Sequence, residues 1–382
     1  MLVVAFVKLD KHFIQQIHDA DGKIILAITG GGASSVTKLL AVPGASNTLL
    51  SAFIPYHDKE LAAYLGGKPE TACSSKTART MAMVAWQRAR ELEREGPVFG
   101  VGCTAALATN RDRRGTDRCF VAIQSAERTT EIAVTFDKSG RSREKEEHLC
   151  STLVLGFIAE SLGIEIEYLA ELRKTDTVTR NKINAEPAWQ DLYSQRTSVT
   201  PLSNSPELIF PGTFNPMHQG HQRMVDYAQR QLGKPVTLEI SVTNVDKPPL
   251  DFIEMHTRCE ALQDWPLAFS NAPTFVEKCR LFPGTTFLVG IDTLMRIIAL
   301  KYYDSSEEKR DQVLQEISSL GNKFLVFGRQ TAQGFLTLSD LDIPASLAER
   351  CIGVSQEDFM EDISSTEIRN REEAKRTVYT PG

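Results

Sequence analysis

The 382 residues contain seven histidines, and two of them, His218 and His221, stand three apart in "FPGTFNPMHQGH" (210–221). Histidines at positions i and i+3 share one face of a helical turn. There each can donate a hydrogen bond to a phosphate oxygen without adding bulk. The residues just before them suit the same anion. Gly212, Thr213, Phe214 and Asn215 follow a short apolar run; a glycine after a strand lets the backbone approach a phosphate, and the helix beyond points free N–H groups at it. The plainer reading is an ordinary first helical turn that happens to carry two polar residues.

A second group lies in "ISSTEIR" (363–369). Ser364 with Glu367 three residues on is a capping-box pattern, which predicts a helix start. The hydroxyls of Ser364, Ser365 and Thr366 and the free N–H groups there make an anion site. Arg369, one turn on, can fork onto phosphate oxygens. Capping alone accounts equally well for the serines and the threonine.

Elements that could hold these residues alternate along the chain. Apolar strand-like runs and helical patterns alternate through residues 1–174, as in "KIILAIT" (23–29), "TARTMAMVAWQRARELE" (77–93) and "VFGVGCTAAL" (98–107). The charged run at 137–148 reads as a solvated turn leading into a helix. Residues 175–207 lose the periodicity and read as a polar linker, with Trp189 and Tyr193 spaced for a short docking helix. Strand–helix alternation resumes over 208–382, with strands at 236–244, 285–292 and 323–329. The expected class is α/β: an α/β/α domain followed by a Rossmann-like parallel-sheet domain, in which ligands sit at the carboxyl ends of strands.

The pairing of "GTFNPMHQGH" with "ISSTEIR" in one α/β domain resembles the nucleotidyltransferase superfamily with H-x-G-H and I-S-S-T-x-x-R signatures, and most of all its nicotinamide or nicotinate mononucleotide adenylyltransferases. "FLVGIDTL" (287–294) resembles their buried strand ending in G-x-D, and "FLVFGR" (324–329) their late strand followed by Arg. The resemblance implies adenylyl transfer from ATP to a pyridine mononucleotide, assisted by Mg²⁺ on the triphosphate. His218, His221 and Arg369 would be catalytic. Gly290 and Asp292 would line the nucleotide site with Gly212–Asn215 and Ser364–Thr366, and Arg329 and Lys247 would face the acceptor. Relatives use a similar H-x-G-H with CTP or with pantetheine phosphate, so a different nucleotide or acceptor stays open, as does nucleotide binding without turnover.

In the first half, Thr29-Gly30-Gly31, "VPGAS" (42–46), Tyr56 and "GVGCTAA" (100–106) fall in the order of a second family, the competence-damage-inducible proteins whose working members are nicotinamide-nucleotide amidases. By that resemblance Thr29, Gly30, Gly31 and Tyr56 mark a pocket whose glycine loop offers N–H groups to a phosphate. The family's nucleophilic serine position is Ala27 and its activating lysine position is Leu61, so amide cleavage lacks its nucleophile and base. Ser34 or Ser35 with Lys59 would be the substitutes; a domain kept for oligomerisation or stability is the alternative.

Composition limits the remaining choices. A net charge of −6 argues against a nucleic-acid binder or a membrane-surface protein. Seven scattered cysteines without a C-x-x-C pair predict reduced thiols in the cytoplasm and no zinc site, and no carboxylate cluster marks a protein-held metal. The apolar start "MLVVAFVKLD" is too short to span a membrane and reads as part of the folded domain. Homo-oligomer formation is left open.

Overall fold

A computed structural model describes residues 10–110, 115–138, 140–245, 247–331 and 334–359. The apolar start of the chain and the "ISSTEIR" stretch, with Ser364, Ser365, Thr366 and Arg369, lie outside the described residues. Two compact units emerge: residues up to Gln190 together with Val245–Met255, and Asp191–Asn244 together with residues from His256 on.

The first unit runs α1 (Lys11–Asp19), β1 (Lys23–Thr29), α2 (Ser34–Leu40), α3 (Ala45–Thr48), β2 (Leu49–Phe53), α4 (Asp58–Leu65), α5 (Ser75–Leu92), β3 (Val98–Ala106), β4 (Asp117–Gln124), β5 (Arg128–Phe136), α6 (Arg143–Ser161) and β6 (Thr177–Asn184), ending within α7 (Pro187–Tyr193). Its six strands lie in the order β2-β1-β3-β4-β5-β6. The first three are parallel and the rest antiparallel. β1 is apolar from Ile24 to Ile28 because both its faces are covered. Leu26 and Ile28 join a core with residues of α1 and α6, while Ala27, between them, joins Leu61, Tyr64, Met81 and Val84 from α4 and α5.

A buried guanidinium fastens Val245–Met255 into this unit. Arg79 of α5 donates to Glu131 (2.6 Å), Asp251 (3.1 Å) and Glu254 (3.0 Å). Asp251 also accepts the N–H groups of Ile253 (2.9 Å) and Glu254 (3.0 Å), and Phe252 donates its own N–H to the Thr129 hydroxyl (3.0 Å).

The stretch that reads as a linker is therefore largely structured. Residues 177–184 form β6, paired along its length with β5, and 187–193 form α7, with Trp189 buried. β6 escapes pattern reading because it is an edge strand whose side chains are nearly all exposed, so no alternation is written into it. Similarly α6 begins at Arg143, inside the charged run, and Glu146 there is fully buried, accepting the Ala108 N–H at 2.6 Å.

The second unit continues with β7 (Leu208–Pro211), α8 (Gln219–Leu232), β8 (Val236–Ser241), α9 (Phe252–Ala261, shared across the boundary), β9 (Leu267–Ser270), α10 (Phe275–Leu281), β10 (Thr286–Gly290), α11 (Ile291–Ile298), α12 (Glu307–Ser319), β11 (Lys323–Phe327), β12 (Arg329–Thr331), β13 (Gly334–Leu336), α13 (Ala345–Ala348) and β14 (Cys351–Val354). β12 and β13 form a separate hairpin; the other strands make one sheet, β14-β11-β10-β7-β8-β9, with every pair parallel. The chain enters in the middle at β7, winds outward to β9, and returns to β10 on the other side of β7. Strand order thus reverses between β7 and β10, the point at which open parallel sheets take ligands beyond the carboxyl ends of their strands. Among the described residues no helix is long and apolar enough to cross a membrane, and no two cysteines form a disulfide.

Candidate active site

The Gly212–His221 turn leaves the carboxyl end of β7 at that reversal. The Gly212 N–H donates to the Glu239 carbonyl on β8 at 2.9 Å. A side chain at Gly212 would meet the Phe214 ring at 2.6 Å, so the glycine here makes room for an aromatic ring of its own turn. Phe214 is buried and sits at φ +42°, a left-handed conformation that costs a non-glycine residue about 1–2 kcal/mol. The Asn215–Pro216 peptide bond is cis.

His218 and His221 are paired more closely than a shared helical face requires. His218 is the N-cap of α8: its Nδ1 accepts the His221 N–H at 3.4 Å, while His221 Nδ1 accepts the His218 N–H at 3.4 Å. The two imidazoles thus form a reciprocal capping box, a task usually given to Ser or Thr with Glu. They stack with centroids 3.6 Å apart at 23°. A ring whose Nδ1 accepts a hydrogen bond carries no proton there, which leaves Nε2 as the N–H of the neutral imidazole. The edge of His221 also meets Phe210 at 5.6 Å and Phe214 at 5.2 Å. Burial first, and the neighbouring His218 second, push the His221 value down to about 3. His221 is therefore an uncharged donor at a helix N-terminus near neutral pH.

Gly290 ends β10 and caps α11. β7 and β10 pair with Leu208 opposite Thr286 and Ile209 opposite Phe287, so the turn after β7 and the end of β10 leave neighbouring strands at the same end of the sheet. The space above Gly290 is open: an added Cβ would meet nothing within 4 Å. Asp292 lies in the first turn of α11, two residues beyond the strand, and forms an ion pair with Arg329 at the start of β12; both side chains are about half exposed, 52% and 50%. Gly290, Asp292 and Arg329 are thus gathered at the strand ends next to the histidine turn. Lys247 is exposed and belongs to Val245–Met255, the segment that groups with the first unit, so it is not among the residues the second unit gathers. Among the described residues no cluster of three or more His, Cys, Asp or Glu is arranged to hold a metal.

Two supports of this turn carry no sequence signal. Arg258 on α9, only 6% exposed, donates through Nε to the Thr213 carbonyl at 3.1 Å. Below the turn, Lys278 of α10 reaches the buried Glu239 carboxylate at 2.8 and 2.9 Å and also donates to Ser241, while Ser270 donates to the same carboxylate. These contacts join the ends of β8 and β9 through residues distant in sequence.

In the first unit the pocket residues take a different form from the one expected. Gly30, at φ +81°, lets the end of β1 pass so close to β3 that a Cβ would lie 1.9 Å from the Ala105 carbonyl oxygen, and Gly31 leaves room for Leu107. Thr29 is buried, whereas Tyr56 is 68% exposed. The N–H groups of Gly32 (2.7 Å) and Ser34 (3.0 Å) both donate to the Glu147 carboxylate. These two donors of the glycine turn are satisfied from within. Ala27 and Leu61 share one buried apolar cluster. Ser34 bonds Ser151 of α6 and Ser35 bonds the Gly32 carbonyl (2.7 Å). α2 packs on α6, whereas α4, which carries Lys59, packs on α5 across the sheet. Lys59 is therefore not placed to activate either serine.

Comparison with known proteins gives two sets of similarities. The N-terminal part is similar in structure to the competence/damage inducible protein CihA from Agrobacterium tumefaciens, 16% identical with a TM-score of 0.34 over 42% of this chain and 99% of that one. It is also similar to the competence-damaged protein (CinA) superfamily protein from Enterobacter cloacae, 16% identical with a TM-score of 0.35 over 42% and 96%. In sequence, 143 residues are 33% identical to a Schizosaccharomyces pombe protein named "Putative nicotinamide mononucleotide adenylyltransferase", covering 34% of this chain and 55% of that protein. The chain thus spans about half the length of that curated relative. The family model described as Cytidylyltransferase-like matches residues 209–371, and that region, carrying the His218–His221 turn, is a cytidylyltransferase-like domain.

Proposed function

We propose that the second unit transfers an adenylyl group from ATP to the phosphate of a pyridine mononucleotide, nicotinamide or nicotinate mononucleotide, and releases pyrophosphate. The observation that carries this reading is the pair of stacked imidazoles capping α8 at the β7/β10 reversal of strand order. An acceptor phosphate is already ionised near neutral pH, so no general base is needed. Its oxygen bonds to the α-phosphorus while the bond to the β-phosphate bridging oxygen breaks, and the electron pair leaves with pyrophosphate. What remains is to position the two substrates and to stabilise charge on the transferring group. The histidine N–H groups and the N-terminus of α8 suit that task, and the open space above Gly290 suits a closely approaching nucleotide. Mg²⁺ would enter with ATP and neutralise the triphosphate. The choice of pyridine mononucleotide rests on the printed name of the S. pombe relative and on the resemblance of the motifs.

The test is a matrix of ATP and CTP against nicotinamide mononucleotide, nicotinate mononucleotide, pantetheine phosphate and a polyol phosphate, with Mg²⁺ present and pyrophosphate measured. Release is expected with ATP and a pyridine mononucleotide. Activity with CTP and a polyol phosphate but none with ATP would overturn the acceptor while leaving the reaction class standing.

The first unit, on this reading, does not hydrolyse nicotinamide mononucleotide. The positions for nucleophile and base hold Ala27 and Leu61, packed together in hydrocarbon, and only slow attack by water is left. The full chain is the material to use, because β6 and Val245–Met255 belong to this unit. Incubation with nicotinamide mononucleotide should release no ammonia. Release that vanishes in Ser34→Ala or Ser35→Ala would contradict the assignment.

A further inference from the structure

We propose that Arg258 is a positioning residue for the transfer site: its hydrogen bond to the Thr213 carbonyl holds the Gly212–His221 turn in the shape that aims both imidazoles. The inference rests on the transfer reading of that turn. Among the described residues, two ties hold the turn at its start. One is the Gly212 N–H to the Glu239 carbonyl, a sheet-type bond that any residue but proline could make. The other is the Arg258 Nε to the Thr213 carbonyl at 3.1 Å, which depends on one side chain from α9, 45 residues away in sequence.

Thr213 immediately precedes the left-handed Phe214, and a strained residue persists only where its surroundings over-determine it. The Phe214 ring in turn lies edge-on to Phe210 and His221, each at 5.2 Å, so its placement decides what His221 leans on. The chain of contact runs from Arg258 through the Thr213 carbonyl and the Phe214 ring to His221, and thence to His218, stacked on it. Burying a guanidinium is costly unless it is hydrogen-bonded, and at 6% exposure Arg258 spends its Nε proton on this carbonyl. Lysine, a point charge on a flexible stem, does not reproduce a donor fixed within a planar fork.

The test compares wild type, Arg258→Lys and Arg258→Ala as full chains, with two readouts. The first is pyrophosphate release. kcat should fall roughly 10- to 100-fold in both variants, the scale of a small misplacement of catalytic groups, with KM for either substrate changed far less. Added guanidine should restore part of the Arg258→Ala rate. The second is histidine NMR, which does not require turnover. In wild type the His221 ring should stay neutral down to the low pH that its burial beside Phe210, Phe214 and His218 dictates. In the variants it should begin to titrate nearer the ordinary histidine range of about 6.5. Arg258→Lys with wild-type kcat and wild-type His221 titration would overturn the proposal. So would a lowered kcat that follows a lowered melting temperature with the titration unmoved, since that is general destabilisation. If wild type shows no transfer at all, the functional reading fails, and the NMR comparison still decides whether Arg258 shapes the turn.

Discussion

His221→Ala is expected to lower kcat for pyrophosphate release by roughly a hundredfold or more, the effect of removing one preorganised donor from a site where charge develops. The His221 ring also accepts the His218 N–H, so the variant loses half of the histidine capping box and some ring packing. A lost cap costs about 1 kcal/mol. The folding deficit should therefore be small beside the kinetic one. Because the folded His221 value lies well below the unfolded value of about 6.5, its contribution to stability is complete above that pH and is lost as pH falls toward 3. His221→Ala should remove this acid sensitivity together with the activity. Steady-state kinetics alongside thermal melts at pH 7 and 5 separate the two roles. Intact turnover with a melting temperature lowered by several degrees would mean that the histidines serve only as caps.

Arg79→Met should cost the first unit about 3–5 kcal/mol, the penalty for breaking a buried ion cluster from one side. Arg79 is the shared partner of Glu131, Asp251 and Glu254, and its side chain is 8% exposed. Burial opposes its charge, but the three carboxylates outweigh that and hold the guanidinium above its usual value. Burial already pushes the Asp251 carboxyl upward, and without Arg79 nothing on this guanidinium offsets it. A carboxyl whose folded value lies above its unfolded value stabilises when protonated, and that contribution is lost as pH rises through the folded value. The Arg79→Met deficit should thus shrink as pH falls from 7 toward 5. Urea unfolding at both pH values checks this; a deficit below about 1 kcal/mol at pH 7 would place the cluster among weak surface pairs.

The parts of this molecule that sequence makes legible are those written as local pattern. The run "KIILAIT" is apolar from Ile24 to Ile28 because β1 is covered on both faces, and "FLVG" and "FLVF" announce β10 and β11 in the same way. His218 and His221 are legible as a pair by spacing alone. Their reciprocal caps and stacking are not, because Ser, Thr, Asp and Asn are the expected cap residues. Gly212 reads as a place for a phosphate, whereas its visible constraint is the Phe214 ring, set by a backbone angle that no residue type announces. Glu147 sits in a charged run that looks solvated, yet it closes a turn 113 residues earlier. Arg79 meets Asp251 across 172 residues. Such contacts are products of the fold and leave no local periodicity to read.

The proposed reaction moves the adenylyl group of ATP onto a pyridine mononucleotide. The most direct measurement uses ATP labelled in the α-phosphate, incubated with the full chain, Mg²⁺ and nicotinamide or nicotinate mononucleotide, followed by separation of the products. The label is expected to move into a dinucleotide in step with pyrophosphate release, and His221→Ala to slow both together. Label remaining in ATP, or appearing only as AMP with no dinucleotide formed, would contradict it.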